Sequence, residues 1–175
     1  MTLTVLDPTA RSADATTSLN AQPATVAGLS VGLLDNGKPN SDRFLAALAD
    51  ELRRRGARPL VPKRKSNIGR LAEPELIETL SLAADLVVVG VGDCAGCCSC
   101  STLDAIALEA AGRPTVMVCT SEFLTTAQIS AATAGVRDYP FTVIDHPFGA
   151  LTAEQVADRA REVAERLWGP PTDGQ

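Results

Sequence analysis

Six consecutive residues, Leu86-Val87-Val88-Val89-Gly90-Val91, constrain the fold of this chain more than any other segment. They are apolar, largely β-branched and free of polar alternation. A strand of that composition is covered on both faces. Covering both faces of a sheet takes helices, and the surrounding sequence supplies them in alternation. Leu29–Leu34 reads as a first strand, ending in the turn Asp35-Asn36-Gly37-Lys38-Pro39. From about Ser41, Leu45, Leu48, Ala49 and Leu52 repeat at i, i+3, i+4, i+7, and Gly56 closes that helix. A short second strand is expected near Arg58–Val61, followed by a basic loop, Lys63-Arg64-Lys65. Pro74 suits a helix first turn, with Leu76, Ile77 and Leu80 as its apolar face.

After the central strand comes a cysteine-rich loop. Ser101-Thr102-Leu103-Asp104 then reads as a capping box opening a helix that ends by Gly112. Pro114–Cys119 is a fourth strand, a helix runs from about Ser121 to Ala134, and Phe141–Ile144 is a fifth strand. Thr152-Ala153-Glu154-Gln155 is a second capping box, with Leu151 and Val156 as its hydrophobic staple, and the last helix stops at Gly169-Pro170. Five strand–helix units imply an α/β fold: one doubly wound, parallel five-stranded sheet with helices on both faces. The expected strand order is the flavodoxin-like 2-1-3-4-5. Residues 1–27 read as an arm with a short strand at Leu3–Leu6, residues 28–169 as the α/β domain, and 170–175 as a disordered tail.

Composition narrows the function. The chain has 175 residues, enough for one domain with a real core, and its apolar 45% is almost all aliphatic. A net charge of −5 argues against nucleic acid and acidic membranes as partners. No apolar run approaches the ~18 residues of a membrane-spanning helix, and no basic segment leads into an apolar stretch at the start. A cytoplasmic, reducing location is the expectation. There, clustered cysteines serve catalysis or metal binding more often than structural disulfides.

Four of the five cysteines, Cys94, Cys97, Cys98 and Cys100, fall within seven residues; Cys119 stands alone in a strand. Ligands of doubly wound sheets bind beyond the carboxyl ends of the strands. Asp35, Asn36, Lys38 and Asn40 follow the first strand, Lys65 the second, and the cysteines with Ser101 the third. Thr120 and Glu122 follow the fourth, and His146, the one histidine, follows the fifth. All are candidates for one rim.

Two chemistries compete for the cysteines. Cys94-Ala95-Gly96-Cys97 and Cys97-Cys98-Ser99-Cys100 are both C-x-x-C, the spacing of a dithiol that closes and opens a disulfide by exchange. A helix N-terminus next to them favours the thiolate. On that reading Cys97 attacks a small polar substrate, Cys100 resolves the adduct and His146 donates a proton. Asp35, Asn36, Lys38 and Asn40 position the substrate, a carboxylate held by Lys38 or Lys65 being one candidate, and a thiol reductant is a candidate partner. Alternatively, Cys94, Cys97 and Cys100, with Cys98, Cys119 or His146, hold zinc, iron, cobalt or an Fe–S cluster, the C-x2-C-x2-C spacing being that of a ferredoxin-type site's opening. Cys98-Ser99-Cys100 resembles the cysteine claw of nitrile hydratases, which hold cobalt or iron, although the cysteine expected three residues earlier is Ala95. A noncatalytic redox sensor or carrier is the third reading. A homo-oligomer is compatible with each.

Gly32–Asn40, Gly90-Val91-Gly92-Asp93-Cys94, Cys100-Ser101, Asp104-Ala105, Leu108-Glu109, Gly112–Val116 and His146-Pro147-Phe148-Gly149 together resemble the UGSC family. Val5–Thr9 fits as well. The family name records a selenocysteine or cysteine followed by Gly-Ser-Cys. Here three extra residues lie between Gly92-Asp93 and Cys100. Aligned from the left, Cys94 takes the selenocysteine position; aligned from the right, the alignment favoured by Ser99-Cys100-Ser101, Cys97 takes it. The resemblance implies nucleophilic or redox chemistry without naming a substrate.

Overall fold

The computed structural model describes residues 18–171. The expected strand at Leu3–Leu6 and the last four residues lie outside them. Two strands form the centre of the sheet: β1 (Ser30–Asp35) and β4 (Leu86–Gly92), paired in parallel with Val31 opposite Leu86. All seven residues of β4 are buried, as its unbroken apolar run requires. With β2 (Arg58–Pro59), β3 (Lys63–Arg64), β5 (Thr115–Thr120) and β6 (Thr142–Ile144), the order is β2-β1-β4-β5-β6, every pairing parallel, and β3 continues β2's edge against β1. That is the expected flavodoxin-like order.

The second strand differs from expectation. It is split, and two of the three residues of the expected basic loop, Lys63 and Arg64, are strand. Pro59 and Pro62 have no N–H to give to a ladder. On β1, Val31 and Leu34 are three residues apart; their partners Pro59 and Lys63 are four apart. The extra residue bulges outward, and Val61 is left 80% exposed.

Helices α1 (Ser41–Arg54) and α5 (Ala153–Trp168) cover one face of the sheet, packing Phe44, Leu45, Leu48, Leu52, Val156 and Val163 against Val31, Leu33, Val88 and Val118. Helices α2 (Pro74–Ala83), α3 (Ala95–Ala110) and α4 (Leu124–Thr133) cover the other, where Leu34, Val87, Val89 and Met117 point. A fully buried leucine contributes about 1.5–3 kcal/mol by leaving water. The capping box of α5 is present: Thr152 Oγ1 accepts from Gln155 N, and the Gln155 side chain accepts from Thr152 N. The arm's described end lies on the domain, with Asn20 hydrogen-bonded to Glu109 and Val26 buried in the core. Among the described residues no helix is long and apolar enough to cross a membrane.

The helix after β4 corrects a second expectation. It starts at Ala95, not near Ser101, so Cys97, Cys98 and Cys100 are helical. Cys94 keeps the extended conformation of the strand (φ −162°, ψ 160°), and its carbonyl accepts the first helical bond, from Cys98 N at 2.9 Å. Ser101 and Asp104 form no capping box because more distant partners take them. Asn36 Nδ2 donates to Ser101 Oγ at 3.0 Å, and Lys65 Nζ lies 2.5 Å from Asp104 Oδ2.

Candidate active site at the carboxyl rim

The rim is organised around Asp93, the residue immediately beyond β4 and only 7% exposed. Its Oδ1 lies 2.8 Å from His146 Nδ1 and accepts from Phe148 N at 3.3 Å. Its Oδ2 accepts from Gly149 N at 3.1 Å and faces Lys38 Nζ at 3.7 Å. Thr120 Oγ1, at the end of β5, lies 3.2 Å from His146 Nδ1 and 3.4 Å from Asp93 Oδ1. One carboxylate thus binds the segments after β1, β5 and β6.

The cysteines adjoin this cluster. Cys94 is the N-cap of α3, and its Sγ accepts the Cys97 amide at 3.4 Å. Cys94 is partly exposed, whereas Cys97, at N3, is 1% exposed and donates its S–H to Cys94 O at 3.3 Å. Burial, together with the hydrogen bond to Cys94, pushes the Cys97 thiol up to about 12; the Asp93 backbone and the Lys38 charge pull weakly the other way. For Cys97, therefore, burial outweighs the Asp93 backbone and the Lys38 charge. Ala95 and Gly96 are exposed, and a methyl group added at Gly96 would meet nothing within 4 Å. The Ala95-Gly96 start of α3 is open to solvent.

Cys98 turns the other way. It is fully buried, donates toward Phe123 O at 3.5 Å, and is pushed upward by its hydrogen bond to Cys119 and by burial. Gly92 makes room for it: a Cβ there would stand 2.9 Å from Cys98 Sγ. Cys100 is half-buried, one turn after Cys97. All five cysteines are free thiols. Among the described residues no group of three or more His, Cys, Asp or Glu side chains is arranged to hold a metal ion.

The other sequence candidates divide by what they already touch. Lys38, Thr120 and His146 meet at Asp93. Asp35 Oδ1 accepts from Gly37 N at 2.8 Å, a turn, and its other oxygen faces Arg64. Asn36 is fully buried and donates to Val91 O and Ser101 Oγ. Asn40, with φ 68°, donates to the carbonyls of Phe148, Gly149 and Leu151. The Lys65 side chain is 0% exposed against Asp104. Glu122 is exposed in the turn Ser121–Phe123. Asp93, the hub, and the amides of Phe148 and Gly149 were not among the sequence candidates. The readable signal was an acidic residue directly between the end of a fully buried strand and a cysteine.

Neither a curated protein nor a solved structure matches this chain. The family model that matches spans residues 4–169, nearly the whole length, and by that match the chain belongs to the UGSC family.

Proposed function

We propose that this protein is a thiol-dependent enzyme in which Cys94 and Cys97 perform thiol–disulfide exchange on a small polar substrate, with Asp93 and His146 managing the proton. The observation that carries the reading is the N-cap bond: Cys97 N donates to Cys94 Sγ at 3.4 Å while Cys97 itself is buried. The accessible thiol attacks and the buried one resolves. Both roles move one C-x-x-C toward the N-terminus relative to the sequence expectation, and Cys97 passes from attacker to resolver.

Cys94 Sγ attacks one sulfur of the substrate disulfide, the S–S bond breaks, and the first substrate thiol leaves. Cys97 gives up its proton and attacks Cys94 Sγ in the mixed disulfide, releasing the second thiol. The protein ends with a Cys94–Cys97 disulfide, the substrate as two thiols. The bond to Asp93 fixes the His146 hydrogen on Nδ1, which leaves Nε2 to take the thiol proton and deliver it to the leaving sulfur. Lys38 and the exposed Ala95-Gly96 end of α3 attract a substrate carboxylate.

Thiol release from glutathione disulfide, a carboxylate-bearing probe, tests the reading against cystamine, which carries amines instead. Faster release from the former, and a mixed disulfide accumulating on Cys94 in Cys97→Ser, are expected. Full activity in Cys94→Ser overturns it. So does stoichiometric metal that shields the thiols until chelated, which would turn the site toward metal chemistry.

A further inference from the structure

Cys94, Cys97 and Cys100 are the N-cap, third and sixth positions of one helix, with the buried thiol between two accessible ones. Residues three apart on an α-helix have Cα atoms about 5 Å apart by the rise and radius of the helix. That lies within the span a disulfide bridges. Helical side chains also lean toward the N-terminus, which tips Cys100 over the turn that carries Cys97. Cys97 thus has a potential disulfide partner on each side.

We propose that Cys100 is a second resolving thiol that moves the disulfide along α3 and frees Cys94. The inference rests on the exchange reading above. The Cys100 thiolate attacks Cys97 Sγ, the Cys94–Cys97 bond breaks, a Cys97–Cys100 bond forms, and Cys94 leaves as thiolate. The proton lost by Cys100 is taken up by Cys94, and no net oxidation occurs. Direction comes from the leaving group. Cys94 Sγ occupies the N-cap and accepts the Cys97 amide, a bond that strengthens when the sulfur carries charge. A sulfur stabilised as an anion is the one expelled. The relay keeps the oxidising equivalent inside the helix, returns Cys94 to the rim, and presents the half-buried Cys100 end to an external dithiol reductant.

The test uses the full chain and one equivalent of glutathione disulfide. Once two glutathiones are released, a pulse of isotope-labelled iodoacetamide is placed by fragment mass spectrometry. The expectation is label on Cys94 in the wild type, about tenfold more than in Cys100→Ser, where the disulfide stays between Cys94 and Cys97. Label on Cys100 with Cys94 protected in the wild type overturns the relay. The same reagent applied to Cys97→Ser separates this failure from failure of the exchange reading. A mixed disulfide on Cys94 there upholds attack by Cys94 whatever Cys100 does, and its absence overturns both.

Discussion

Asp93 Oδ1 and His146 Nδ1 are 2.8 Å apart, and the same carboxylate also accepts two backbone amides from the loop that follows His146. The carboxylate therefore orients the imidazole twice, by direct contact and by holding its loop. Asn at position 93 supplies one acceptor where two oxygens now serve donors on both sides. Asp93→Asn is expected to lose about 1–3 kcal/mol, the cost of a buried donor left unpaired. His146→Gln leaves the loop amides on Asp93, and is expected to keep stability while slowing exchange about 10²-fold. Denaturant melts and stopped-flow thiol release on both variants check the split. Equal losses of stability in the two would remove His146's separate role.

The Cys97 thiol, pushed up to about 12 chiefly by burial, sets a pH signature. A raised thiol value means that the neutral form is favoured in the folded protein, so thiolate is scarce at neutral pH and grows with pH until that value. In Cys94→Ser the burial persists. Iodoacetamide labelling of Cys97 there is expected to be slow at pH 7 and to rise about tenfold per pH unit, the slope of a thiolate-limited reaction. A plateau below pH 9 would mean that Cys97 ionises readily and is fit to attack.

The central strand, the stripe of Leu45, Leu48 and Leu52, and the capping box Thr152–Gln155 were legible because each is a local pattern with one physical solution. The start of α3 was not. The pattern Ser101-x-x-Asp104 reads as the cap, but the structure places the N-cap at Cys94. Ser101 and Asp104 are taken instead by Asn36 and Lys65, which lie 65 and 39 residues from the groups they engage. The same holds for the site. Polar residues at strand ends either latch loops or face the rim, and the sequence looks alike in both cases. Burial separates them: Asn36 and Lys65 are enclosed with protein partners, while 31% of the His146 side chain faces solvent.

Gly92 is the point where β4 and α3 come closest. A Cβ there would meet Cys98 Sγ at 2.9 Å, the Met117 methyl at 3.0 Å and Cys98 Cα at 3.2 Å. The last of these is backbone and cannot swing aside, so α3 must move. Gly92→Ala is expected to cost about 1–3 kcal/mol, the range for overpacking a filled core. It should also expose Cys98 and Cys119, which with Cys97 are the buried thiols expected to react slowly in the wild type. A time-resolved thiol titration reads this, and three slow thiols persisting in the variant would show that the core absorbs the methyl.

Lys65 and Asp104 form an ion pair with both side chains enclosed, and Asp104 Oδ1 also accepts from Ala72 N at 2.7 Å. Burial raises the Asp104 carboxyl above its usual value even though Lys65 and the Ala72 amide oppose the rise. Lys65→Met removes the cation and strands the carboxylate, which is expected to cost about 3–5 kcal/mol at pH 7. The sign of the pH dependence follows. A carboxyl raised in the folded state is tolerated while protonated and becomes a penalty as pH climbs through its folded value. Removing Lys65 raises it further. The deficit of Lys65→Met against the wild type should therefore shrink as pH falls toward 4 and widen toward neutrality. Lys65→Met with Asp104→Asn removes the charge while keeping an oxygen for Ala72 N, and should recover all but about 1 kcal/mol. Urea melts at pH 4.5 and 7 on the three proteins measure this, and a deficit that does not change with pH would place the loss in packing of the lysine stem instead of in the stranded charge.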